Sequence, residues 1–290
     1  MSEHDTRELD EATGTMTVGH EWDGIKELDT PLPRWWLWTF YITIVWGIAY
    51  TIAYPAWPLI SGATPGLLGY STRGELAERE QVQQARNAGT EALLVAASWD
   101  DVTGNPDLDS FARAGGAAVF RTYCSQCHGA GAAGAVGYPN LIDDAWLWGG
   151  SHDDIFYTVA HGIRWDSDDD SRYSEMPAFG ADEILAPEEI ELVADYILSL
   201  SSAAVADPAG EELYLDNCAA CHGDNAMGDR DLGAPNLADA IWLYGGDRAS
   251  VIETITYSRY GVMPAWNERL TEAEIKAVSH YVHSLGGGEE

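Results

Sequence analysis

The chain has 290 residues and a formal charge of −32, with 47 Asp and Glu against 13 Arg and only two Lys, Lys26 and Lys276. A polyanion of this density repels phosphate backbones, so nucleic acid is excluded as a partner. The length suffices for two domains near a hundred residues each and an anchor.

Residues 1–34 form a polar N-terminal segment. Trp35 to Tyr54 then gives twenty residues with no charge and three threonines as the polar members. At ~1.5 Å per residue this covers the roughly 30 Å hydrocarbon core of a bilayer. Trp35, Trp36 and Trp38 crowd one end and Tyr50, Tyr54 and Trp57 the other, as interfacial aromatic belts do. Pro55 and Pro58 stop the helix, and no polar stripe marks a helix buried in a soluble domain. Thirty-four residues precede the span without a short basic region or small-residue cleavage site, so it does not read as a cleavable signal. Residues 35–57 are therefore expected to span a membrane, with lipid as a partner. Lys26 and Arg34 flank the N-terminal side, and the next positive residue is Arg73. The positive-inside rule predicts a cytoplasmic N-terminus, with everything after Trp57 outside.

Residues 58–108 connect the span to the cysteine-bearing part of the chain. Ser61-Gly62-Ala63-Thr64-Pro65-Gly66 reads as a turn, and Arg73 to Trp99 as one or two partly amphipathic helices. The apolar run Ala92–Ala97 is too short to cross a bilayer. Docking on a partner subunit and packing on the next domain both remain open for this segment.

Cys124-Ser125-Gln126-Cys127-His128 and Cys218-Ala219-Ala220-Cys221-His222 use all four cysteines. C-x-x-C alone also serves redox and zinc sites. Two copies with His in the same place are the attachment signature of c-type haem. Two thiols three residues apart form thioethers to the two vinyl groups of one porphyrin. The next residue, His128 or His222, then lies under the iron as proximal ligand. Two covalently attached haem c groups are expected, and their attachment outside the bacterial inner membrane agrees with the predicted orientation.

The two motifs sit in a longer repeat. Gly116, Phe120 and Cys124 are spaced by four, as are Gly210, Tyr214 and Cys218. Pro139-Asn140-Leu141 matches Pro235-Asn236-Leu237, and Trp146–Gly150 matches Trp242–Gly246, at one offset. Met176-Pro177-Ala178-Phe179 matches Met263-Pro264-Ala265-Trp266 at a shorter one. The first copy thus carries an insertion that includes Asp166–Asp170, read as a solvated loop rather than a cation site. Each copy closes on a helical pattern, Ile190, Val193, Tyr196, Leu200 and Ile275, Val278, Tyr281, Leu285. This order resembles the small all-α class I cytochrome c fold, present twice. The fold expectation is all-α, one transmembrane helix and two tandem domains over 109–201 and 202–290, joined by a short linker from Ser201 to Pro208.

Methionine is the common distal ligand in electron-transfer cytochromes, and Met176 and Met263 occupy matched places before a proline. Both are expected to ligate iron, although Met between aromatics is often core filler. The class I resemblance implies that the carbonyls of Pro139 and Pro235 orient the proximal imidazoles. Met227, too near His222 to cross the haem, reads as packing. His161 lies where it could reach the iron if Met176 did not. His152, His280 and His283 read as surface or satisfied core residues.

Gly19-His20-Glu21-Trp22-Asp23-Gly24-Ile25, Glu27-Leu28 and Pro31-Leu32-Pro33-Arg34-Trp35-Trp36 resemble the N-terminal signature of the dihaem subunit of cbb3-type cytochrome c oxidases. The resemblance extends over almost the whole chain, least at 58–108 and 166–170. It implies an electron-transfer subunit without a catalytic site of its own. Such a subunit takes electrons from a periplasmic donor cytochrome c. It passes them to a monohaem cytochrome c subunit and a haem–copper subunit that reduces oxygen and pumps protons. An anchored dihaem carrier of a quinol-oxidising complex is the alternative. A dihaem peroxidase or gas sensor would need a labile sixth ligand, which the paired Met-Pro runs argue against. The acidic surface fits either a basic donor or solubility in a salty medium. Chain order suggests that the second domain receives electrons and the first hands them on.

Overall fold

The computed structural model describes residues 7–202, 204, 205 and 207–289. Ala203 and Ala206 of the expected linker lie outside the described residues, as do the first six positions. The chain divides into two compact units, residues 1–85 and 86–290.

The first unit opens with a three-stranded antiparallel sheet, β1 (Leu9–Asp10), β2 (Thr15–Trp22) and β3 (Ile25–Leu28), in the order β1-β2-β3. Asp23 and Gly24 both have positive φ, the requirement of a two-residue hairpin turn after an alternating strand. Helix α1 (Arg34–Ala53) follows and buries no residue within the chain. It is long and apolar enough to cross a membrane. Its three threonine hydroxyls donate to backbone carbonyls of their own helix, Thr39 to Trp35, Thr43 to Phe40 and Thr51 to Ile48. No side-chain hydroxyl of these threonines is left to lipid. The helix ends at Ala53 rather than at Trp57, because Pro55 pushes Tyr54 into extended backbone. A short hairpin, β4 (Pro58–Leu59) and β5 (Gly62–Ala63), occupies the turn expected at 61–66. Helix α2 (Thr72–Ala96) runs across the boundary between the units.

The second unit is helical: α3 (Trp99–Gly104), α4 (Pro106–Val119), α5 (Ser125–His128), α6 (His152–His161), α7 (Pro187–Leu200), α8 (Pro208–Asn217), α9 (Ala219–His222), α10 (Arg248–Tyr257) and α11 (Glu272–His283). A π-helical turn, Phe120–Cys124, joins α4 to α5. Residues from 86 onwards of the connecting segment pack on this unit. Leu94, Val102 and Leu108 are buried with Ala112 and Ala277, and the Lys276 ammonium donates to the carbonyls of Val95 and Ala97 at the end of α2.

Two larger cores cut across the expected division at residues 201 and 202. One joins Val119, Phe120, Ile155 and Val159 of the first repeat to Ile275, Val278 and Val282 of the second. The other joins Phe179, Ile190 and Val193 of the first repeat to Tyr214, Val251 and Ile255 of the second. Each closing helix therefore packs on the opening helix of the other repeat, α11 on α4 and α7 on α8. The crossing points are glycines. A Cβ on Gly116 would stand 2.1 Å from the Ala277 carbonyl oxygen, and one on Gly210 2.5 Å from that of Leu192. Aromatic pairs flank both crossings, Phe120 with Tyr281 and Tyr214 with Tyr196. Both cores thus draw on residues 109–201 and on residues 202–290. The linker at 201–208 takes the chain from α7 straight into its own partner helix α8.

Candidate haem sites

The π turn and α5 place Cys124 and His128 on one wall of a cavity, and Cys127 is exposed. Nδ1 of His128 lies 3.0 Å from the Pro139 carbonyl oxygen, which turns Nε2 towards the cavity. The walls include Phe120, Leu141, Val159, Val278 and Val282, and the methionine that lines it is Met263. No charged side chain is part of that lining. Burial holds the His128 imidazole below its ordinary pKa, partly offset by the Pro139 carbonyl.

The second motif repeats the arrangement. Nδ1 of His222 lies 3.0 Å from the Pro235 carbonyl oxygen, and burial again lowers its pKa against the carbonyl's opposing pull. Cys218, Cys221, Phe179 and Ile255 line this cavity together with Met176. Two guanidiniums, of Arg164 and Arg259, also reach it. Burial pushes the free thiols of Cys124 and Cys218 up to about 11, so both are protonated until they are attached.

Each methionine thus enters the cavity of the other repeat's histidine. Backbone pairing fixes the exchange. Ile163, just after α6, exchanges two hydrogen bonds with Met263 (2.9 and 3.0 Å), and Trp266 N donates to Ala160 O (3.1 Å). In the other direction, the Ser258 hydroxyl donates to the Met176 carbonyl, and Phe179 N to Ile255 O (3.1 Å). The matched places of Met176 and Met263 in the repeat assign neither to a histidine; in the fold Met263 lines the cavity of His128 and Met176 that of His222. Of the eight residues singled out for haem, Cys124, His128 and Met263 line one cavity and Cys218, Cys221, His222 and Met176 the other, while Cys127 is exposed.

Other expectations resolve individually. His161 turns Nδ1 to Asp168 (3.2 Å) and lines neither cavity. Asp168 is not part of a merely hydrated loop: its side chain is 11 % exposed and also accepts from Asp170 N and the Asn267 amide. Met227 is exposed, not packed. His280 is buried, with Nε2 donating to Asp109 (2.8 Å) and Nδ1 3.1 Å from His152 Nε2. A repeated Arg-Tyr-x-x-Met-Pro run, beginning at Arg172 and Arg259, was missed, although its offset is that of the methionines. Arg172 lies 5.5 Å over Trp148 and Arg259 5.1 Å over Tyr244, so each stays with its own repeat just before the chain crosses.

Two Pro-oriented C-x-x-C-H histidines, two apolar cavities and two methionines define an anchored dihaem class I cytochrome c. Residues 14–61 match the family described as the N-terminal domain of cytochrome oxidase-cbb3, FixP. Residues 114–201 match cytochrome c, and 205–282 match cytochrome c oxidase, cbb3-type, subunit III. The cbb3-type cytochrome c oxidase subunit CcoP of Cereibacter sphaeroides is 58 % identical over 276 residues, covering 94 % of this chain and 95 % of that one. FixP subunits of the same oxidase type are 52 % identical over 285 residues in Azorhizobium caulinodans (97 % and 96 % covered) and 48 % over 287 in Sinorhizobium medicae (98 % of each). The chain belongs to this CcoP/FixP family of cbb3-type oxidase subunits. It is a membrane-anchored, dihaem electron-transfer subunit with two covalently attached haem c groups.

Proposed function

We propose that this chain is the electron inlet of a cbb3-type oxidase, with its N-terminus cytoplasmic and its haem-bearing unit in the periplasm. It accepts electrons from a donor cytochrome c and delivers them, through a monohaem cytochrome c subunit, to the haem–copper subunit. The haem irons, when bound, supply the one-electron chemistry. The protein's part is to ligate, orient and insulate. His128 and Met263 would hold one iron, and His222 and Met176 the other. The carbonyls of Pro139 and Pro235 fix each imidazole's tautomer and plane. A histidine and a methionine together would leave an iron no open position for oxygen or peroxide, which suits a carrier rather than a catalytic site.

One observation carries this reading: each C-x-x-C-H histidine faces an apolar cavity that a single methionine enters from the other repeat. Methionine ligation and burial both favour the reduced iron, which suits a carrier feeding a terminal oxidase. The test is mild-detergent purification from the native membrane by a tag on this chain, with haem staining and subunit identification. A multi-span haem–copper subunit and oxygen consumption are the expected companions. Recovery with a haem-b quinol-oxidising subunit would replace the oxidase assignment by a general carrier.

A further inference from the structure

Arg164 lies between the two methionine-bearing segments. Its Nε donates to the carbonyl of Ser174 (2.7 Å), two residues before Met176. Its Nη1 donates to the carbonyl of Gly261 (3.0 Å), two residues before Met263. The guanidinium stands 5.2 Å from the Tyr260 ring centre and is part of the wall around His222 and Met176 alone. The backbone at this point is equally engaged. Arg164 N donates to Arg172 O (2.8 Å), and the adjoining Ile163 bonds Met263 in both directions. Ile163 is therefore bridged to Arg172 on one side and to Met263 on the other.

Arg164 has φ +53°, a left-handed conformation that L side chains rarely adopt and that glycine or asparagine would hold with less strain. Neither of those could reach two carbonyls on separate segments. A guanidinium does so because its N–H groups diverge in a rigid plane. Strain is thus kept at a residue whose side chain donates to both ligand segments.

We propose that Arg164 is a positioning residue that holds both axial-methionine segments and so couples the ligation of the two haems. The proposal rests on Met176 and Met263 being the axial ligands. Its distinctive consequence is that losing one side chain, which lines only one cavity, acts at both irons.

The test uses the full chain with both haems attached, in detergent, as wild type, R164Q and R164K. Three properties are read: the far-red methionine-to-iron charge-transfer absorption of the oxidised protein, carbon monoxide binding by the reduced protein, and the two midpoint potentials. R164Q is expected to weaken the far-red absorption of both haems, open both to carbon monoxide and lower both midpoints. R164K keeps the charge without the planar fork and should lose less, again at both. Where R164Q yields too little loaded protein, R164K decides. Changes confined to one haem, or spectra identical to wild type, overturn the clamp. Absence of the far-red absorption from wild type, with M176A and M263A equally silent, refutes methionine ligation itself and is distinguishable from failure of the clamp.

Discussion

Nδ1 of His128 and of His222 is taken up by a proline carbonyl, and this single hydrogen bond leaves Nε2 to face the cavity. The two attachment motifs were legible because covalent attachment demands fixed local spacing. Which methionine serves which histidine was not, because the two Met-Pro runs are interchangeable as sequence. The exchanged pairing makes a prediction that can be counted. Substituting two ligands of one iron, M263A with H128A, should remove one of the two low-spin centres. Substituting ligands of different irons, M263A with H222A, should remove both. Electron paramagnetic resonance of the oxidised chain reads the number directly, and the reverse pattern would restore the unexchanged pairing. At this scale the Arg-Tyr-x-x-Met-Pro repeat was not legible as functional, since a cation four residues before a ligand has no local signature of its own.

Helices α4 and α11 meet at Gly116, and α7 and α8 at Gly210, with no room for a side chain at either point. G116V should separate α4 from α11 and cost about 1–3 kcal/mol, the usual range for overpacking. Carbon monoxide binding by one of the two reduced haems, with the other unaffected, would mark the damage as local. The same helix pair carries a titratable cluster. His280 of α11 touches Asp109 of α4 and His152 of α6, and His152 stacks on His283 at 3.5 Å. Arg113 of α4 and Asp153 of α6 are the other charged groups acting on the cluster. Burial, then the neighbouring His283 and His280, pushes His152 down to about 4, and burial also lowers His280. Both folded values lie below the unfolded one near 6.5, so the unfolded chain binds more protons in between. Stability from this cluster is therefore complete above about pH 6.5 and is lost as pH falls towards 4. Melting temperatures should decline across that window, and H152F should flatten the decline; an unchanged slope would count against the cluster. Helical periodicity located these elements, whereas the Asp23-Gly24 hairpin did not emerge from it, because a turn dipeptide between two short strands carries no helical period.

The molecule joins an apolar helix with no buried residue to a strongly acidic remainder, 38 acidic residues against 12 basic ones after Arg34. Such a field concentrates a basic donor near the surface and is screened beyond ~8 Å at physiological ionic strength. Reduction by a basic donor cytochrome should slow by about tenfold or more between low and high salt, the scale typical of steered association. Stopped-flow measurement checks this, and a rate indifferent to salt would leave the acidity to solubility. By itself, the sequence determined the two haem c groups, the apolar span and the family, because each depends on residues close together in the chain. Only the tertiary structure decided that the two repeats exchange their closing helices and methionines. The repeats carry the same apolar pattern, so either closing helix fits either opening helix. The choice then falls to the backbone pairing of Ile163 with Met263, to the Ser258 hydroxyl on the Met176 carbonyl and to the shortness of the chain between α7 and α8.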